Sequence, residues 1–80
     1  MKIQKSITNY LADNGWRIVY KGDVLIHYQK LKDESINHLY VTYFPDRNEY
    51  EVELGFGENQ SNSKMYKLRN IVSILKKQGL

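Results

Sequence analysis

The chain has 80 residues, 41% of them hydrophobic and 26% charged, with 12 Lys or Arg against 9 Asp or Glu, a formal net charge of +3 and no cysteine. A chain this short supports one domain with one modest core, and its composition excludes a disordered polymer. The absence of cysteine excludes disulfide staples and thiolate metal sites, which fits a reducing compartment.

Met1 to Ser6 leads into an amphipathic stretch, not a continuous apolar run, and no window approaches the length of a membrane span. The expectation is a single soluble, cytoplasmic domain over residues 1–80, with no membrane partner and no sequence signal for its oligomeric state. Ile3, Ile7, Tyr10 and Leu11 recur at helical spacing, and Asn14-Gly15 supplies the residues that end helices in a left-handed cap, so the spacing predicts a helix over 2–14. Trp16 to Lys21 is rich in strand formers, and Gly22-Asp23 marks a turn into a second strand, Val24 to Lys30. Two loops fit here. A two-residue turn sets Lys21 opposite Val24, whereas matching Ile18 and Tyr20 with Tyr28 and Ile26 needs a longer, bulged connection; the apolar match favours the second.

The polar run Lys32-Asp33-Glu34-Ser35 reads as the next hairpin loop, closing Leu31 on Ile36 and setting Tyr28 opposite Leu39, Ile26 opposite Val41 and Val24 opposite Tyr43. Pro45-Asp46-Arg47-Asn48 carries turn chemistry, with proline pre-setting φ and Asn48 tolerating a left-handed conformation. That turn sets Tyr43 opposite Tyr50, Val41 opposite Val52 and Leu39 opposite Leu54. Both hairpins turn the same apolar face inward: Trp16, Ile18, Tyr20, Val24, Ile26 and Tyr28 from the first strands, and Leu39, Val41, Tyr43, Tyr50, Val52, Leu54 and Phe56 from the others. The polar stretch from Glu58 to Ser63 offers several N-caps, and Met65, Leu68, Ile71, Val72 and Leu75 then repeat every three or four residues, predicting a helix over 63–78. Each helix has one apolar stripe and the sheet one apolar face. The predicted fold is therefore α+β, a four-stranded antiparallel meander with an N-terminal and a C-terminal helix on one face, in the order α-β-β-β-β-α.

Little in the chain has the spacing of catalysis. The serines fall in helices or loops without a His/Asp arrangement, and Gly55-Phe56-Gly57 lacks the third glycine and the Lys-Ser/Thr pair of phosphate loops. His27 and His38 face outward as diagonal neighbours, with Glu51 and Glu53 on the adjacent strand, yet nothing there has a tight metal-ligand spacing, and the two read as solvated histidines. The expectation is a non-enzyme with no cofactor and no metal.

Charge is distributed unevenly. Residues 59–80 hold five cations (Lys64, Lys67, Arg69, Lys76, Lys77) and no acid, +5, whereas residues 33–58 hold seven acids against Arg47, −6. On the outer sheet face Glu49, Glu51 and Glu53 lie beside Tyr40 and Phe44, with Leu25, Leu31 and Ile36 on the same side. Amphipathic aromatics rimmed by charge are the composition of protein interfaces, so Tyr40, Phe44, Glu49, Glu51 and Glu53 are the candidate partner-binding residues and their sign selects a basic protein surface, including one that normally holds nucleic acid. The alternative is nucleic-acid binding through phosphate contacts from Lys64, Lys67, Lys76 and Lys77 on the last helix. Gly55, Gly57 and Ser63-Lys64-Met65-Tyr66-Lys67, in the order helix, strands, helix, resemble the double-stranded RNA-binding domain, whose final helix opens on a Ser-Lys-Lys run that grips phosphates. The resemblance is confined to residues 55–67 and departs from the family at Met65, in the number of strands and in lacking an alanine-rich helix. The preferred reading is a non-catalytic binding module. Its size, single domain and charge polarity are similar in general appearance to phage and mobile-element accessory proteins that inhibit or redirect a host machine, anti-defence inhibitors among them.

Overall fold

A computed structural model describes residues 1–56 and 63–80. Helix α1 (Lys5–Asp13) leads into five antiparallel strands, β1 (Arg17–Lys21), β2 (Leu25–Lys32), β3 (Ser35–Phe44), β4 (Glu49–Phe56) and β5 (Lys64–Lys67). A single 3₁₀ turn (Leu68–Asn70) then leads into α2 (Ile71–Lys77). The strands lie in sequence order, so the sheet is a meander with β1 and β5 at its edges. The fold is α+β as expected, with a fifth strand that the helical reading of 63–78 had absorbed. Residues 58–62 of the expected N-cap loop lie outside the described residues.

The central hairpins have the expected registers. Tyr43 faces Tyr50, Val41 faces Val52 and Leu39 faces Leu54, while across β2 and β3 Ile26 faces Val41 and Tyr28 faces Leu39. Val24 falls just outside β2, and its carbonyl accepts from the Tyr43 amide at 2.8 Å. The β2–β3 loop is tighter than its polar run suggested, because Lys32 pairs with Ser35 and only Asp33 and Glu34 turn the chain, at φ 52° and 65°. Both positive values match the twist of a two-residue hairpin. Asn48 takes the left-handed conformation expected of it, φ 49°, and its Oδ1 accepts from the Tyr43 hydroxyl at 3.0 Å.

The β1–β2 pair is bulged within β1, between Ile18 and Tyr20, and not in the loop where the apolar match had placed the irregularity. Ile18 faces Tyr28, the register then slips, and Tyr20 faces His27 instead of Ile26. One extra residue in a strand of period two sends the following side chain to the other face. Tyr20 therefore leaves the core for the outer face, at 56% exposure, and its ring folds over Gly22, where an added Cβ would lie 2.8 Å from the phenolic oxygen. Ile18 and Val24, also expected inside, are instead exposed, at 52% and 45%.

Both helices end in the same way. Gly15 and Gly79 adopt φ 85° and 70°, Trp16 N–H donates to Leu11 O at 2.9 Å, and Leu80 N–H donates to Leu75 O at 2.8 Å. This is the Schellman arrangement, in which the residue after the glycine is turned back against the last helical turn. Trp16 and Leu80 are thereby driven into the core, where the Trp16 indole N–H donates to the Leu80 carbonyl at 3.2 Å. Lys30 Nζ reaches the same oxygen at 2.6 Å. Ile7 and Leu11 of α1, Ile71 and Leu75 of α2, and Ile26, Tyr28, Leu39, Val41, Val52 and Leu54 of the sheet complete one continuous core. Both helices thus cover the same face, and among the described residues the opposite face of the sheet carries no helix.

Candidate functional site: the uncovered sheet face

Alternation along β2, β3 and β4 turns Leu25, His27, Gln29 and Leu31, then Ile36, His38, Tyr40, Thr42 and Phe44, then Glu49, Glu51 and Glu53 away from the helices. The register slip in β1 and the extra strand β5 extend this face on both sides. Tyr20, His27, Tyr40, Glu53 and Met65 form one directly paired row across all five strands.

Tyr40 belongs to an aromatic stack whose middle member is His27. Its ring lies 4.2 Å from that of His27 at an interplanar angle of 15°, and 6.1 Å from that of His38. The two imidazoles also touch directly, with His27 Nε2 and His38 Nδ1 2.9 Å apart. A hydrogen bond between ring nitrogens needs one donor and one acceptor, so it forms only while at least one ring is neutral. The groups around His27 are Tyr20 across β1, Tyr40 across β3 and His38 on the diagonal, and none is a carboxylate that would stabilise an imidazolium. Desolvation and, after it, the nearby His38 hold the His27 pKa below its usual value. A folded-state pKa below the unfolded one means that the unfolded chain takes up the proton first. The stability that neutral His27 contributes is fully present above the ordinary histidine value, about 6.5, and is lost as the pH falls through the lowered value. Thermal melts at decreasing pH are expected to show a drop in this window that is absent in His27→Gln.

The acidic row is less free than its sequence suggests. Arg47, from the β3–β4 turn, lies over the Phe44 ring at 4.3 Å and places Nε 3.9 Å from Glu49 and Nη2 3.9 Å from Glu51. These half-exposed pairs are weak, but they hold the guanidinium against the ring and spread the carboxylates along the strand. Glu53 accepts a hydrogen bond from the Ser63 hydroxyl at 3.1 Å, and β5 brings Lys67 opposite Glu51. Tyr40, Phe44, Glu49, Glu51 and Glu53 therefore do share one face, in two groups. Tyr40 stacks with the histidines at the centre, with Glu53 opposite it on β4, while Phe44, Glu49 and Glu51 gather around Arg47 at one end. The role of Arg47 was missed in the sequence, where it read as a turn residue; its spacing of two and four residues before Glu49 and Glu51 was the available signal.

The basic residues do not assemble as the alternative requires. Lys64 and Lys67 are on β5, not on a helix, and their strand register turns Lys67 to the outer face, away from α2. Lys76 and Lys77 are in α2, and Lys76 Nζ lies 5.7 Å from the Tyr10 ring centre. The run Ser63-Lys64-Met65-Tyr66-Lys67 opens no helix, so the phosphate-gripping helix start implied by the resemblance to the double-stranded RNA-binding domain is not formed. Among the described residues no group of three His, Asp or Glu side chains is placed to hold a metal ion. No described helix is long and apolar enough to cross a membrane. Comparison with family models, with curated proteins and with solved structures finds no match for this chain.

Proposed function

We propose that the protein is a small non-catalytic binding module that docks its uncovered sheet face, centred on Tyr40, on a basic surface of a partner protein. The observation that carries this reading is the stack of His27, Tyr40 and His38 in the middle of a five-stranded face that no helix among the described residues covers. Rigid aromatics supply contact area at low entropic cost, and here they are already packed on one another and supported by the sheet. Glu49, Glu51 and Glu53 form a rim whose spacing is held by Arg47 and Ser63, an arrangement that orients a cationic partner more than it adds affinity. By covering a surface that otherwise holds an acidic ligand, a module of this size inhibits or redirects its partner, the mode of action of the phage and mobile-element accessory proteins to which the chain is similar in size and build.

Surface plasmon resonance on a captured partner tests this directly. Tyr40→Ala is expected to raise the dissociation rate and to cost about 2 kcal/mol, roughly thirtyfold in Kd, with the melting temperature little changed. Glu51→Lys combined with Glu53→Lys is expected mainly to slow association and flatten its salt dependence. Wild-type kinetics in both folded variants would show that this face is merely solvated.

A further inference from the structure

A different part of the molecule carries an independent proposal. Edge strand β1 is exposed along its whole length, with Val19 at 49% and Ile18 at 52% exposure, and one side of its backbone faces no strand among the described residues. An apolar cleft flanks this edge on each face of the sheet. On the helical face a groove of about 810 Å³ runs between α1 and β1, with Ile3, Ala12, Trp16, Ile18 and Ile26 in its lining. On the other face a smaller cleft of about 320 Å³ is lined by Val19, Leu31 and Ile36, with Leu31 71% exposed. A strand added at a sheet edge sends alternate side chains to opposite faces, so one apolar cleft on each side is the geometry that receives it.

The charges around the edge select the occupant. Lys2 and Lys21 line the groove and Arg17 lines the outer cleft, and neither lining contains an acid. A second copy pairing β1 with β1 would bring four cations, Arg17 and Lys21 from each chain, into a ribbon about 17 Å long. Strands this short bury too little to offset that repulsion, since stable interfaces bury about 1,200–2,000 Å² in total. The flanking cations and the bulge at Val19 are the devices by which edges resist self-association. The same cations favour an incoming strand of opposite charge. We propose that the β1 edge binds an extended peptide segment of a partner by strand addition, the segment having apolar side chains at its centre and carboxylates at its ends.

The test uses the full chain and two fluorescein-labelled heptapeptides with a common Val-Ile-Val centre, one ending in glutamates and one in lysines, read by fluorescence anisotropy. The glutamate peptide is expected to bind the wild-type protein at least about tenfold more tightly than the lysine peptide, with an affinity that weakens as salt is added. Ile18→Lys, a change at a half-exposed position that leaves the fold intact by thermal melting, is expected to abolish binding, whereas Tyr40→Ala on the outer face leaves it unchanged. Equal binding of both peptides, or binding of neither, overturns the proposal. So does sedimentation showing a wild-type dimer that Ile18→Lys dissolves, because the edge would then belong to a second copy. Loss in Tyr40→Ala alone would overturn the proposal by placing the peptide on the central surface around Tyr40 instead of on the β1 edge.

Discussion

Val52→Asp is expected to leave the protein unfolded at room temperature. Val52 is fully buried at the centre of β4, facing Val41 on one side and Tyr66 on the other, beneath both helices. A carboxylate there finds no cationic partner and no hydrogen-bond donor in an apolar setting, and the cost of burying it unpaired is several kcal/mol even after it takes up a proton. A domain of this length has a total stability of about 4–12 kcal/mol. Circular dichroism melts showing a cooperative transition at the parental temperature would mean that the inward face of the sheet is wrongly assigned.

Trp16→Ala has the second largest expected effect, about 3–5 kcal/mol. The indole is almost fully buried, and its removal empties a large volume between α1, the sheet and Leu80. It also strips Leu80 O of one of its two donors, leaving Lys30 Nζ as the other. Trp16 and Leu80 are turned inward by matching glycine caps, so the substitution loosens the point where the ends of the two helices meet. Trp16→Phe retains most of the volume without the N–H donor and is expected to lose distinctly less. Denaturant titration of the pair measures the two contributions, and equal losses in the two variants would show that the hydrogen bond, not the packing, dominates.

The sequence was most informative where two independent constraints agreed. At Val41 and Val52 the alternation of apolar residues and the chemistry of the Pro45–Asn48 turn demand one register, and the structure has it. The reading failed where a local pattern had two solutions. Met65, Leu68, Ile71, Val72 and Leu75 fit a helical stripe, but Lys64–Lys67 lies beside β4 and pairs with it, with Tyr66 packed inward and Met65 outward. Four residues are too few for alternation to outweigh a helical spacing that continues into a true helix. The apolar match called for a bulged β1–β2 loop, whereas the bulge lies within β1 at Val19, and that position decides whether Tyr20 belongs to the core or to the outer face. At the candidate site, the shared outward direction of His27, His38, Tyr40 and the glutamates followed from the register. The ring stacking and the placement of Arg47 over Phe44 depend on side-chain rotamers, which periodicity does not encode.

The central claim is that the face around Tyr40 is the working surface. Quantitative affinity capture from a cell lysate, with the wild-type protein and folded Tyr40→Ala as parallel baits, tests it most directly. The account predicts a basic protein enriched on the wild-type bait and depleted at least about tenfold on Tyr40→Ala. An identical set of captured proteins on both baits would contradict it.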